Sequence, residues 1–183
     1  MVVALAEMGD KTQLLSFVLA AKLKRPVPIA LGILVATLAN HFLAGAVGAW
    51  LASLVSPRAL TWTIALSFIA FGFWALKPDE LDEDRQLKGA GVFLTSLIAF
   101  FLVEMGDKTQ LATIALAARY DSLVSVVMGT TLGMMIANVP AVWMGEALAR
   151  KVNMKIMHRI AAGLFFLLGV LTLVAGDGAL RTP

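Results

Sequence analysis

The stretch EMGDKTQL occupies residues 7–14 and recurs, letter for letter, at residues 104–111. Each copy sits inside an apolar run that holds no other charged residue. Eight identical residues are not a compositional accident, so the chain is built from two related halves at an offset of 97 positions (104 less 7). Each copy opens a block of three apolar segments and is followed, at similar spacing, by a Gly and an Asn: Gly32 and Asn40 in the first half, Gly129 and Asn138 in the second. An ionised side chain near the middle of a bilayer costs ~2.5–3.5 kcal/mol even on the lenient insertion scale. The charges of the two motifs therefore cannot face lipid and must face the bundle interior and one another.

That the apolar runs belong in a bilayer follows from composition. The chain of 183 residues is 60% hydrophobic and 15% charged, well below the roughly 25% charge of a soluble domain, and its mean hydropathy is +0.86. A spanning helix needs about 20 predominantly apolar residues. Six candidates run roughly over 1–21, 27–55, 59–76, 90–118, 122–149 and 156–176, with short polar breaks between them. The first lacks a basic start and carries three charges, so it is expected to be a spanning helix and not a cleaved signal peptide. The expected fold is all-α and polytopic, six transmembrane helices in a 3+3 inverted repeat. Its parts are a first three-helix repeat over 1–76, an acidic cytoplasmic linker over 77–89 and a second three-helix repeat over 90–183. Three is odd, so the second block enters from the opposite side and the two motifs face each other.

Orientation follows from Lys and Arg. Lys22, Lys24, Arg25, Lys77, Arg85, Lys88, Arg150, Lys151, Lys155 and Arg159 fall in alternate loops on one side, against Arg58, Arg119 and Arg181 on the other. This bias places both termini outside the cytoplasm, in the plasma (inner) membrane, with the acidic stretch DELDEDR inside. Trp62 and Trp74 stand where interfacial anchors are expected, although core packing serves equally well. The isoelectric point near 9.5 does not point to nucleic acid, because the basic residues are scattered between apolar segments. The expected partners are the lipid bilayer and a divalent cation; the sequence leaves open whether copies form a homo-oligomer. Glu104 and Asp107 follow about 14 apolar residues and so lie near mid-bilayer. Only six residues precede Glu7, and the repeat asks for equal depth, which leads to the expectation that further residues precede Met1 in the natural chain.

On a continuous helix Glu7, Asp10 and Lys11 share one arc, as do Glu104, Asp107 and Lys108. Gly9 and Gly106 let backbones approach or the helix unwind, exposing carbonyls. With no Cys and two His, thiolate and histidine-rich metal sites are excluded, and any bound metal must use oxygen. Four carboxylates and two ammonium groups leave the site at minus two, a charge that one divalent cation or two protons would neutralise. Carboxylates, the amides of Gln13 and Gln110 and the hydroxyls of Thr12 and Thr109 suit Ca²⁺ or Mn²⁺. Met8 and Met105 offer thioethers, though filling space is their commoner role. Burying six charges only to join helices is poor physics, because apolar replacement of a buried ion pair is often neutral or stabilising.

The doubled motif resembles the E-x-G-D-K/R-T/S signature of a small transporter family found from bacteria to the Golgi of animals and fungi. Its members are described as Ca²⁺/Mn²⁺:H⁺ exchangers and, in bacteria, manganese exporters. The resemblance covers nearly the whole chain. It implies that Glu7, Asp10, Glu104 and Asp107 are the cation ligands and proton carriers, with Lys11, Thr12, Lys108 and Thr109 completing the motifs.

Asn40 and Asn138 are intramembrane polar groups expected either to support the site or to bond between helices. Pro140 would free a backbone carbonyl. His41 pairs with Asn138 at the strict offset of 97, or with Val139 if the two Ala-Asn pairs are matched; neither partner titrates, and His41 is expected to be a packing histidine outside the symmetric site. The expected function is a proton-coupled divalent cation antiporter exporting Mn²⁺ from the cytoplasm, with no cofactor and no enzymatic chemistry. Ca²⁺/H⁺ exchange is the alternative, and a passive divalent channel stands behind it without the ring of a selectivity filter. An intramembrane aspartyl hydrolase is disfavoured, since a Lys after each Asp opposes a shared-proton dyad.

Overall fold

The computed structural model of the chain describes residues 2–8, 10–76, 91–144 and 154–179. The regular structure of these residues is helical throughout: α1 (Val2–Glu7), α2 (Lys11–Leu23), α3 (Pro26–Leu54), α4 (Pro57–Ala75), α5 (Val92–Glu104), α6 (Lys108–Arg119), α7 (Leu123–Met144) and α8 (Met154–Ala179). By length and composition α3, α4 and α7 are able to cross a membrane, and α5 and residues 159–174 of α8 are shorter apolar helices. The acidic linker 77–89, the end of the fifth apolar segment (145–149), Gly9, Arg150 and Lys151 lie outside the described residues.

Local signals account for the helix starts. Prolines open α3 and α4, where a missing N–H costs nothing, and the Ser56 hydroxyl accepts from the Ala59 N–H at the head of α4. α7 runs on through Pro140.

The single helical arc expected of each motif is corrected by the structure. Helix α1 ends at Glu7 and α2 begins at Lys11, while α5 ends at Glu104 and α6 begins at Lys108. The breaks have matching geometry: Asp10 is the N-cap of α2 at φ −80, ψ 166, and Asp107 the N-cap of α6 at φ −76, ψ 160. The Asp10 N–H donates to the Glu7 carbonyl and the Asp107 N–H to the Glu104 carbonyl, each at 3.0 Å. The cause is local. Asp is among the preferred N-cap residues, and Gly106 adopts φ +77, a left-handed conformation open to glycine at little cost.

Packing exchanges elements between the halves. α3 lies against α5 and α6, α7 lies against α1 and α2, and α3 and α7 touch each other. α4 packs on α8 through Phe68, Phe71 and Phe165, whose ring centroids are 6.0 to 6.3 Å apart. Trp74 is half-buried against this cluster, whereas Trp62 is exposed. Polarity runs outward to apolar: Glu7, Asp10, Asn40, His41, Glu104, Asp107 and Lys108 are fully buried, and Phe73, Leu132 and Val124 are exposed. Such a surface suits lipid, with ionisable groups turned to the bundle interior.

Gly48 permits the closest approach between α3 and α6, because a Cβ there would lie 2.2 Å from the Ile114 carbonyl oxygen. Gly48→Ala is expected to destabilise the protein by about 1–3 kcal/mol through overpacking, read as a lower melting temperature in detergent. Gly163→Ala, whose added Cβ meets nothing within 4 Å, should melt like the parent; equal melting of both variants would refute the close approach.

Candidate cation site

Because both motifs break at the same register, the lysine that opens each second half-helix is carried toward the other motif. Lys11 Nζ lies 2.9 Å from Asp107 Oδ1, and Lys108 Nζ pairs with Asp10 Oδ1. The pairs are crossed, each joining a lysine of one half to an aspartate of the other. Asp10, Asp107 and Lys108 are buried, while Lys11 keeps 23% of its side chain exposed.

Three carboxylates converge at this crossing. Glu7, Asp10 and Asp107 each present an oxygen, all within 4.8 Å of one another. Ca²⁺ takes oxygen ligands at about 2.3–2.6 Å, so oxygens on opposite sides of one such ion stand about 5 Å apart. The cluster thus has the dimensions of a single cation. Glu7 Oε2 accepts a hydrogen bond from the Thr12 hydroxyl, whereas Glu7 Oε1 is buried with no hydrogen-bond partner among the described residues. A buried carboxylate oxygen left this way is costly, and a bound cation would satisfy it. Thr109 Oγ1 donates to Asp107 Oδ2 at 3.1 Å.

Glu104 is set apart from this cluster. Its Oε1 lies 2.9 Å from His41 Nε2, and its Oε2 accepts from Thr37 Oγ1 at 3.3 Å. His41 Nδ1 in turn lies 3.4 Å from Thr131 Oγ1. His41 is buried with polar partners for both ring nitrogens, as a satisfied packing histidine would be, but one partner is a motif carboxylate, which corrects its expected place outside the site. Thr37 and Thr131 also escaped the sequence reading; the one available signal was the i, i+4 spacing of Thr37 and His41, which puts both on one face of α3.

The motif glutamines brace the breaks. Gln110 Oε1 accepts from the Gly106 N–H at 2.7 Å, and its amide meets Asn40 Oδ1 at 3.5 Å. Gln13 Nε2 donates to the Ala137 carbonyl at 3.0 Å. Positions 40 and 137 are themselves 97 apart, so these contacts settle the register left open above: His41 corresponds to Asn138. Asn40 also donates to the Phe101 carbonyl at 3.1 Å, and Asn138 Oδ1 accepts from Ser16 Oγ at 2.8 Å. Both asparagines thus tie α3 or α7 to the broken helices. Met105 is exposed and Met8 half-buried. A cavity of about 590 Å³ opens beside Tyr120, Asp121 and Thr130 and is not lined by motif residues.

Comparison with known proteins identifies the family. The sequence profile described as "Divalent cation/proton antiporter GDT1" matches residues 1–83 and 92–179. A Vibrio cholerae protein named "Putative manganese exporter" is 48% identical over 171 residues, covering 93% of this chain and 86% of the relative. The Arabidopsis thaliana GDT1-like protein 5 is 30% identical, covering 93% of this chain and 91% of its own length. No solved structure matches the chain. With two copies of one charged motif meeting at paired helix breaks, and a profile that spans both halves, the chain belongs to the GDT1 family of divalent cation/proton antiporters, a family of transporters and not of enzymes.

Proposed function

We propose that the protein exports Mn²⁺ from the cytoplasm across the plasma membrane in exchange for protons, with Glu7, Asp10, Glu104 and Asp107 binding the cation and carrying the protons. The observation that carries this reading is the buried meeting of Glu7, Asp10 and Asp107 within 4.8 Å, beside a Glu7 oxygen with no hydrogen-bond partner among the described residues. An ammonium and a divalent cation compete for the same aspartate oxygens, so cation entry releases Lys11 and Lys108 from their crossed pairs, and cation exit restores them. Protons compete in the same way. The chain is read as six spans in two inverted repeats, 1–76 and 90–183, joined by the cytoplasmic linker 77–89, with both termini outside the cytoplasm. Such halves rock about a fixed midplane site. An inward proton gradient then drives the divalent ion outward. Ca²⁺/H⁺ exchange is the second reading, favoured by the all-oxygen character of the converging groups.

The test is flux in proteoliposomes with and without a pH gradient. Each carboxylate must lose its proton to bind the ion, so apparent affinity for Mn²⁺ should fall as pH is lowered on the loading side. With one competing proton the limiting change is about tenfold per pH unit, sought between about pH 5.5 and 8. Flux that ignores the gradient, with flat affinity, would mean uniport and sink the exchange mechanism.

A further inference from the structure

We propose that His41 is a positioning residue of the cation cycle: it holds Glu104 away from the carboxylate cluster in the conformation described, so that the two motif glutamates take turns at the ion. This rests on the antiporter reading given above.

Glu7 and Glu104 occupy the same place in identical motifs, yet their surroundings differ. Glu7 belongs to the converging cluster and has a buried oxygen with no hydrogen-bond partner among the described residues. Glu104 has both oxygens engaged, one against His41 and one by Thr37. The places that match Thr37 and His41 in the other half hold Met134 and Asn138. Met134 has no hydrogen to donate, and the Asn138 amide donates to the Met134 carbonyl while its oxygen accepts from Ser16. A resting place for a glutamate is thus built in one half and not in the other.

Inverted repeats reach their second state by exchanging the conformations of the halves about a fixed site. In that exchange Glu104 takes the position Glu7 holds here, and it must leave His41 to do so. The imidazole is steadied from behind by Thr131, which orients Nε2 toward the carboxylate. The hold requires His41 Nε2 to reach the Glu104 carboxylate, as it does here at 2.9 Å.

Reach is what the experiment varies. Asparagine, the residue at the matching place, is too short to contact Glu104 from position 41, while glutamine is long enough. Wild type, His41→Asn, His41→Gln, Glu104→Gln and the double variant His41→Asn with Glu104→Gln are purified, assayed for Mn²⁺ binding in detergent by electron paramagnetic resonance, and assayed for Mn²⁺ flux in proteoliposomes. Freed from its holder, Glu104 adds a carboxylate to the cluster. His41→Asn should therefore bind Mn²⁺ about 10-fold tighter and turn over about 10-fold more slowly, the scale typical of groups that orient a ligand. His41→Gln should stay within about twofold of wild type on the same scale, and the double variant should bind like Glu104→Gln alone. Unchanged or weaker binding in His41→Asn, equal effects of Asn and Gln, or an Asn effect that survives in the Glu104→Gln background would each overturn the proposal. If His41→Asn does not fold, Thr37→Val removes the other donor to Glu104 and carries the same expectation. Wild type that binds Mn²⁺ without exchanging it for protons would overturn the antiporter reading, and the binding comparison would still decide the role of His41.

Discussion

Glutamine in place of Glu7 should stop divalent cation transport while leaving a folded protein in the membrane. The substitution keeps the shape of the side chain and removes the charge from one of three carboxylates that lie within 4.8 Å. Among the described residues Glu7 forms no ion pair with a lysine, and the Thr12 hydroxyl donates to it, so no paired counter-charge is stranded. Flux should fall more than about 100-fold, beyond the 10–100-fold loss typical of groups one layer behind a metal. Glu104→Gln should also abolish flux, because each motif glutamate is needed once per cycle. Asp10→Asn is expected to behave differently. It removes the carboxylate that Lys108 meets across the halves, and breaking a buried pair costs about 3–5 kcal/mol, so this variant should lose stability as well as transport. Size-exclusion profiles and flux, measured side by side, separate the cases. Near-normal flux in Glu7→Gln would remove it from the cation path.

Bacterial cells that lack a manganese exporter should regain growth on excess Mn²⁺ when they express this chain, and their cell-associated Mn²⁺ should drop. Glu7→Gln should give no rescue. The effect should be confined to hard divalent cations, because the chain has no Cys and only two His, and soft or borderline metals such as Cu and Zn prefer thiolate and imidazole. Tolerance of Zn²⁺ and Cu²⁺ should stay as it was. If expression instead made the cells more sensitive to Mn²⁺ and raised its content, transport would run inward and the proposed direction would be wrong.

Much of this arrangement was legible in the sequence, and the exceptions have physical causes. The apolar runs 27–55 and 59–76 correspond to α3 at 26–54 and α4 at 57–75, since hydropathy and proline at the first helical position mark such helices directly. The meeting of the motifs followed from the cost of charge in lipid. The helix breaks are half visible in the sequence: Gly106 allows the helix to unwind, but the N-cap preference of Asp10 and Asp107 is masked by a long apolar run that has the pattern of one helix. His41 was hidden for another reason. Its partner Glu104 is 63 positions away in the chain (104 less 41), a tertiary contact that periodicity does not encode. Symmetry hides it as well, because the residue at the matching place, Asn138, cannot titrate. The exchange of conformations proposed for the halves suggests that departures from the repeat are as informative as its matches.

The crossed pairing also bears on how such a protein is put together. Lys11 meets Asp107 and Lys108 meets Asp10, so the ion pairs of the two motifs run between the halves. A nascent first half released into the bilayer by itself would carry a lysine and an aspartate whose counterparts have yet to be synthesised. Two copies of one half, meeting about a twofold axis, would reproduce both crosses, because each copy supplies one lysine and one aspartate. The wiring of the charges is therefore what a dimer of half-length chains would show, and insertion of the second half is the step that pairs Lys11 and Asp10 of the first.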